Sequence, residues 1–172
     1  MTLRDVKQGR AAVEAMINWL CGAAVAADGG VVSWSNPAHP GYRSPEAAGF
    51  LLALLAGEGA RHQALRERIA GALSRDATPA GGFGRGEHEY AFDTAVVLSA
   101  LLAHERAGGR LPDASLPRRL LQFIAECLAA RRATRWPEQG PPGRWSLSYG
   151  CHLLKVAPAL YEIGRASCRE RV

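Results

Sequence analysis

The 172-residue sequence predicts an all-α fold of stacked helical hairpins. Three observations carry that expectation. Apolar residues recur at helical spacing in six segments. Glycine- and proline-rich loops separate those segments. Two of the most apolar segments also match without gaps, Glu46–Leu55 on Asp93–Leu102, which is the mark of a repeated unit.

The elements follow in order. The first helix is expected from about Gly9 to Val25, with Val13, Met16, Ile17 and Leu20 as its apolar stripe. Loop residues from Ala27 to Gly41 follow, and Ser44-Pro45-Glu46 opens the second helix. Serine caps, proline fits the first helical position, and glutamate suits the positive end of the dipole. The stretch Gly49–Ala56 is almost wholly apolar, which predicts burial on most sides. The third helix, about Arg61 to Ser74, is amphipathic, with Leu65, Ile69 and Leu73 set among Arg66, Glu67 and Arg68. After the loop Thr78–Gly84, the fourth helix, about Tyr90 to His104, is again strongly apolar. The fifth, Leu116–Arg131, carries Leu120, Phe123, Ile124 and Leu128 on one stripe. The sixth, about Ser148 to Tyr161, contains a looser third copy of the apolar motif at His152–Leu160, and Pro158 is expected to kink it. An outer amphipathic helix, a loop and an inner apolar helix thus recur, and no hairpin can cover its own inner helix.

Composition fits one globular domain: 48% of residues are apolar and 22% charged. No run of apolar residues is long enough to span a bilayer. The net charge of +5 first suggests nucleic acid. However, arginine outnumbers lysine 19 to 2, the charges are scattered among acids, and the arginines from Arg118 to Arg135 lack interleaved aromatics. They read as the solvated face of the fifth helix, and no nucleic-acid partner is expected. Cys21 and Cys127 fall in apolar stretches and read as core residues, while Cys151 stands apart. This cysteine usage gives neither a disulfide framework nor a zinc pattern. With no secretory signal at the start, a cytoplasmic location is expected.

Specific motifs narrow the fold. Asp28-Gly-Gly, Trp34 and Ser44-Pro-Glu-Ala-Ala-Gly-Phe50 form one set; Gly81-Gly-Phe-Gly and Ala91-Phe-Asp-Thr94 form the second; Trp145 and His152-Leu-Leu-Lys-Val-Ala157 form the third. Together they resemble the α/α-toroid superfamily, which includes prenyltransferase/squalene-cyclase repeats and six-hairpin glycosidase-like proteins. They are most similar to bacterial toroid proteins associated with exopolysaccharide biosynthesis. The resemblance implies an incomplete toroid of about three hairpins, a domain over residues 1–161, and a role in polysaccharide metabolism. The last eleven residues, 162–172, resemble the in-frame translation of a sequencing adapter. They are expected to be foreign to the fold, with the natural chain continuing past Tyr161; without them the net charge falls by one.

In such a toroid, the loops before the inner helices line one mouth of the cavity. Glu46 and Asp93 lie there, in positions the sequence match makes equivalent. Two carboxylates at one cavity suit glycoside chemistry, one as acid and one as base or nucleophile. The simpler reading is that acids favour helix N-termini whatever the function. Trp34, Tyr42 and Trp145 are candidate sugar platforms, with Arg43 and His152 as polar contacts; the other reading is that the aromatics plug the toroid axis. Phe83 reads as core. Cys151-His152 make a poor metal pair, because adjacent helical residues diverge by about 100° and seldom bind one ion together. The Asp-x-Cys spacing of the prenyltransferase branch is missing too, so neither metal nor cofactor is expected. The run Gly81–Gly86 lacks the strand and Gly-Lys-Ser/Thr ending of a phosphate loop. Two further functions stay open: a non-catalytic scaffold that binds a partner, and an isoprenoid cyclase or prenyltransferase. Hairpin faces left without neighbours are expected to self-associate.

Overall fold

The computed structural model describes residues 3–34, 36, 38, 41–85, 88–129, 134–135 and 156–161, with side chains from Gln8 onward except at 134–135. These residues are mostly helical, as the periodicity predicts. The helices are α1 (Leu3–Ala23), α2 (Pro45–Gly57), α3 (Gln63–Asp76), α4 (Ala91–Arg106) and α5 (Leu116–Ala129), with residues 156–161 also helical. A 3₁₀ turn, Gly59–His62, joins α2 to α3. The expected third helix therefore starts slightly later, at Gln63, because the 3₁₀ turn ends on His62, whose φ of -118° and ψ of 25° are not α-helical.

Strand is a minor part of the described residues. Three short antiparallel strands, β1 (Gly84–Arg85), β2 (His88–Tyr90) and β3 (Thr134–Arg135), form a small sheet beside the start of α4. This also places Arg135 on β3 rather than on the fifth helix. Trp136, Trp145, Tyr149, Cys151, His152, the first part of the expected sixth helix and the tail 162–172 lie outside the described residues.

The inner helices α2 and α4 pack directly on each other. A side chain at Gly49 would bring its Cβ to 2.9 Å from Val96 Cγ1, so the glycine allows the two backbones to approach. Around this contact lie Leu52, Leu55, Ile69, Leu98, Leu101, Leu116, Leu120, Phe123 and Ile124, all essentially removed from solvent. Val156 and Ala159 join the same core. Cys127 is buried within it, whereas Cys21 is only half-buried, its thiol pushed up by burial. Phe83 is 1% exposed and belongs to the core, as expected.

Two burial expectations fail. Phe50 is 55% and Leu54 38% exposed on α2, because α1 reaches the core chiefly through Ile17, with Leu20 and Cys21 only partly buried, and leaves that flank open. A groove of about 320 Å³ results, lined by Trp19, Leu20, Trp34, Phe50, Leu51 and Leu54 among others. Arg66 is the opposite case. The sequence sets it among the polar residues of α3, yet it is 1% exposed. Its position explains this: with Ile69, Ala70 and Leu73 it completes an i, i+3, i+4, i+7 stripe.

Candidate functional site

The loops before α2 and α4 repeat one backbone turn. Gly29 N–H donates to Ala26 O, and Ala26 N–H to Gly30 O; in the second copy Gly81 N–H donates to Thr78 O, and Thr78 N–H to Gly82 O. Gly29 and Gly81 both take positive φ, 91° and 87°. Each also lies against the backbone of the next outer helix. A Cβ at Gly29 would sit 2.2 Å from Arg68 O on α3, and one at Gly81 2.7 Å from Arg119 O on α5. Only glycine satisfies both demands.

Each loop then returns to its helix through a matching bond, Ser44 N–H to Val31 O and Tyr90 N–H to Phe83 O. Ser44 and Tyr90 are the respective N-caps. Ser44 Oγ accepts from Ala47 N–H at 3.2 Å, as a capping serine should. Aligning the caps pairs Pro45 with Ala91, and hence Ala47, not Glu46, with Asp93. The gapless sequence match is therefore displaced by one residue. Glu46 is the second residue of α2 and Asp93 the third of α4.

Different chemistry holds the two loops. In the first, Asp28 Oδ1 accepts from Gly30 N–H at 3.0 Å and Oδ2 from Arg43 Nη1 at 2.7 Å. Arg43 Nε also reaches Asp76 Oδ2 at 3.2 Å, and Arg75 Nη2 donates to Asp28 O at 2.8 Å. The Gly30 amide, and then Arg43, hold the Asp28 carboxyl below the usual carboxylate range. In the second loop, Thr78 Oγ1 donates to Glu89 Oε1 and accepts from Gly82 N–H at 3.0 Å. Thr94 Oγ1 accepts from Phe83 N–H at 2.9 Å and donates to Tyr90 O at 2.8 Å.

The Arg43 and Arg75 contacts tie the first loop to the end of α3, from which the second loop leaves, and aromatic residues gather at this end of the stack. Trp34 meets Tyr42 edge-on, with ring centroids 5.5 Å apart. The Arg85 guanidinium lies over the Tyr42 ring, 4.1 Å from its centroid. Tyr90 stacks on Phe92 at 5.2 Å. Burial first, and then the Asp93 charge, push the Tyr90 phenol up, while Arg85 opposes the shift. Asp93 is 9% exposed, and Glu46 is half-buried. Because Gly49 meets Val96 and both helices start at this end, the two carboxylates sit at similar heights on neighbouring helices.

Among the expected site residues, Trp34, Tyr42, Glu46 and Asp93 thus share one end of the stack. Trp34 is 48% exposed there. Arg43 is also there, but its Nη1 and Nε are committed to Asp28 and Asp76. Trp145 and His152 fall outside the described residues. Arg85 escapes the sequence reading, which weighs the run Gly81–Gly86 only as a phosphate loop and sets it aside. The signal available was a lone cation among glycines, three residues before a strand-forming His-Glu-Tyr segment. Among the described residues, no group of three or more His, Cys, Asp or Glu side chains could hold a metal ion. No described helix is long and apolar enough to cross a membrane. No family model, curated protein or solved structure matches this chain.

Proposed function

We propose that this chain binds a carbohydrate at the shared end of its two loops, as part of an α/α toroid in bacterial polysaccharide metabolism. The observation that carries the reading is the grouping of Trp34, Tyr42 and Arg85 beside the first turns of α2 and α4. Exposed aromatic faces suit the apolar faces of sugar rings, and a stacked guanidinium keeps its N–H edge open to hydroxyl or carboxylate oxygens. The polysaccharide context comes from the motif resemblance alone.

Catalysis at this place would fall to Glu46 and Asp93. One of the two would act as acid and the other as base or nucleophile. A separation of about 5–5.5 Å between the carboxyls would give retention, and about 6.5–9.5 Å inversion. A glycan array probed with the full chain tests the reading. Binding that is lost in Trp34→Ala and kept in Glu46→Gln and Asp93→Asn supports a site with separate platform and chemical groups. Absence of signal for every glycan sinks it.

The apolar groove beside Phe50 and Leu54 favours a second reading, a non-catalytic scaffold that docks a partner on the open flank of α2. A chain that binds no glycan yet self-associates through that flank, and becomes monomeric in Phe50→Ser, would fit the scaffold instead.

A further inference from the structure

Two buried polar side chains at the other end of the stack belong to none of the chemistry above. Arg66 is 1% exposed, and its Nε and Nη1 have no hydrogen-bond partner. His104, in the last turn of α4, is fully buried; its Nδ1 has no partner and its Nε2 lies 3.4 Å from Arg110 O. The connection from α4 to α5, residues 107–115, folds over this imidazole. Gly109 N–H donates to His104 O at 2.9 Å, and a Cβ at Gly109 would meet the ring at 2.0 Å from Cε1. The backbone therefore lies flat against the histidine.

Arginine cannot shed its proton, and a buried cation lacking acceptors is costly. Neutral histidine offers what is lacking. With Nε2–H donating to Arg110 O, Nδ1 carries a free lone pair. Donors without an acceptor thus share a buried region with an acceptor without a donor.

We infer that Arg66 and neutral His104 form an acid-released latch that holds the 107–115 connection on the end of α4. While His104 is neutral, its Nδ1 can accept an Arg66 N–H through one buried water. Protonation turns Nδ1 into a donor and adds a second positive charge to the core. The groups facing the ring are Arg66 and Glu67 from α3, Glu105 from its own helix, and the Arg110 carbonyl from the connection. Burial holds the imidazole below its ordinary range and Arg66 adds to this; the Arg110 carbonyl, Glu67 and Glu105 pull the other way. The unfolded or opened chain therefore binds the proton more readily. The stability of the closed connection is complete above the ordinary imidazole value, and is lost as the pH falls through the lowered one.

Hydrogen exchange of the full chain between pH 7.5 and 5, corrected for intrinsic rates, tests the latch alongside an NMR titration of the His104 imidazole. Expected is a loss of about tenfold or more in protection across 107–111, in step with the imidazole titration. In His104→Gln, which keeps one donor and one acceptor, that loss should vanish. Arg66→Met should move the imidazole titration upward; should this variant fail to fold, the wild-type titration and exchange still decide. His104 titrating with no change in protection at 107–111, or an equal loss in His104→Gln, overturns the latch.

Discussion

The loop and inner helix from Ala26 to Gly57 and those from Thr78 to Arg106 share a turn, a positive-φ glycine against the next outer helix, and a return bond to the N-cap. They differ in what surrounds that frame. The first loop is held by exposed ions, Asp28, Arg43, Asp76 and Arg75, and the second by hydroxyls under a carboxylate, Thr78, Thr94 and Glu89. The inner helices differ in the same direction. With the caps aligned, Phe50 and Leu54 of α2 correspond to Val96 and Ala100 of α4, which are 8% and 0% exposed. One backbone design therefore tolerates two kinds of fastening. What makes the second copy the more buried is its neighbours, since α4 lies between α2 and α5 while α2 has an open side.

The largest contrast should appear in the inner helices. Leu98→Ala should cost about 2–5 kcal/mol, as expected for a fully buried leucine, while Leu54→Ala on the open flank should cost less than about 1 kcal/mol. Denaturant unfolding of both variants measures this, and equal losses would mean the flank is covered in solution. Next come the shared glycines. Gly29→Ala and Gly81→Ala should each lose about 2–4 kcal/mol, since strain from positive φ adds to a collision with the facing carbonyl. Gly108, whose φ is 80° with open space around it, isolates the strain alone, so Gly108→Ala should lose only about 1 kcal/mol. Three equal losses would remove packing from the explanation.

The smallest effect belongs to the fastenings. Arg43→Met should weaken the chain slightly, and the difference should disappear at high salt because the pairs are half-exposed. Thr94→Val should cost about 1–3 kcal/mol regardless of salt, because it leaves the buried Phe83 amide without its acceptor. Acid should also loosen the first loop. The contribution of Asp28 is present above the ordinary carboxylate value and is lost as the pH falls through its lowered value. Thermal melts across salt and pH, run on both variants, separate the two fastenings.

Much of this frame was legible in the sequence. Ser44-Pro45-Glu46 marks the start of α2 through capping chemistry alone, and the apolar run from Ala95 to Leu102 marks α4. Register within the repeat was less so. Apolar residues are so dense in both helices that a one-residue displacement still looks like a match, and only the cap hydrogen bonds fix it. The burial of Arg66 was readable from its i+3, i+4 and i+7 partners, but three consecutive charged residues, Arg66 to Arg68, obscured it. Exposure of Phe50 was not readable, because it depends on how far α1 covers α2. At the site, local signals placed Trp34, Tyr42, Glu46 and Asp93 near helix starts. The contact of Arg85 with Tyr42 joins two loops far apart in sequence, and no local pattern encodes it.

NMR titration of the full chain with glycans, read at backbone amides, asks whether the two loops together form the proposed saccharide-binding surface. Shifts are expected at both Ser33–Trp34 with Tyr42 and Arg85 with Tyr90–Asp93, weakened together by either Tyr42→Ala or Arg85→Ala. Shifts confined to one loop, shifts on the Phe50 flank alone, or none with any glycan would contradict it.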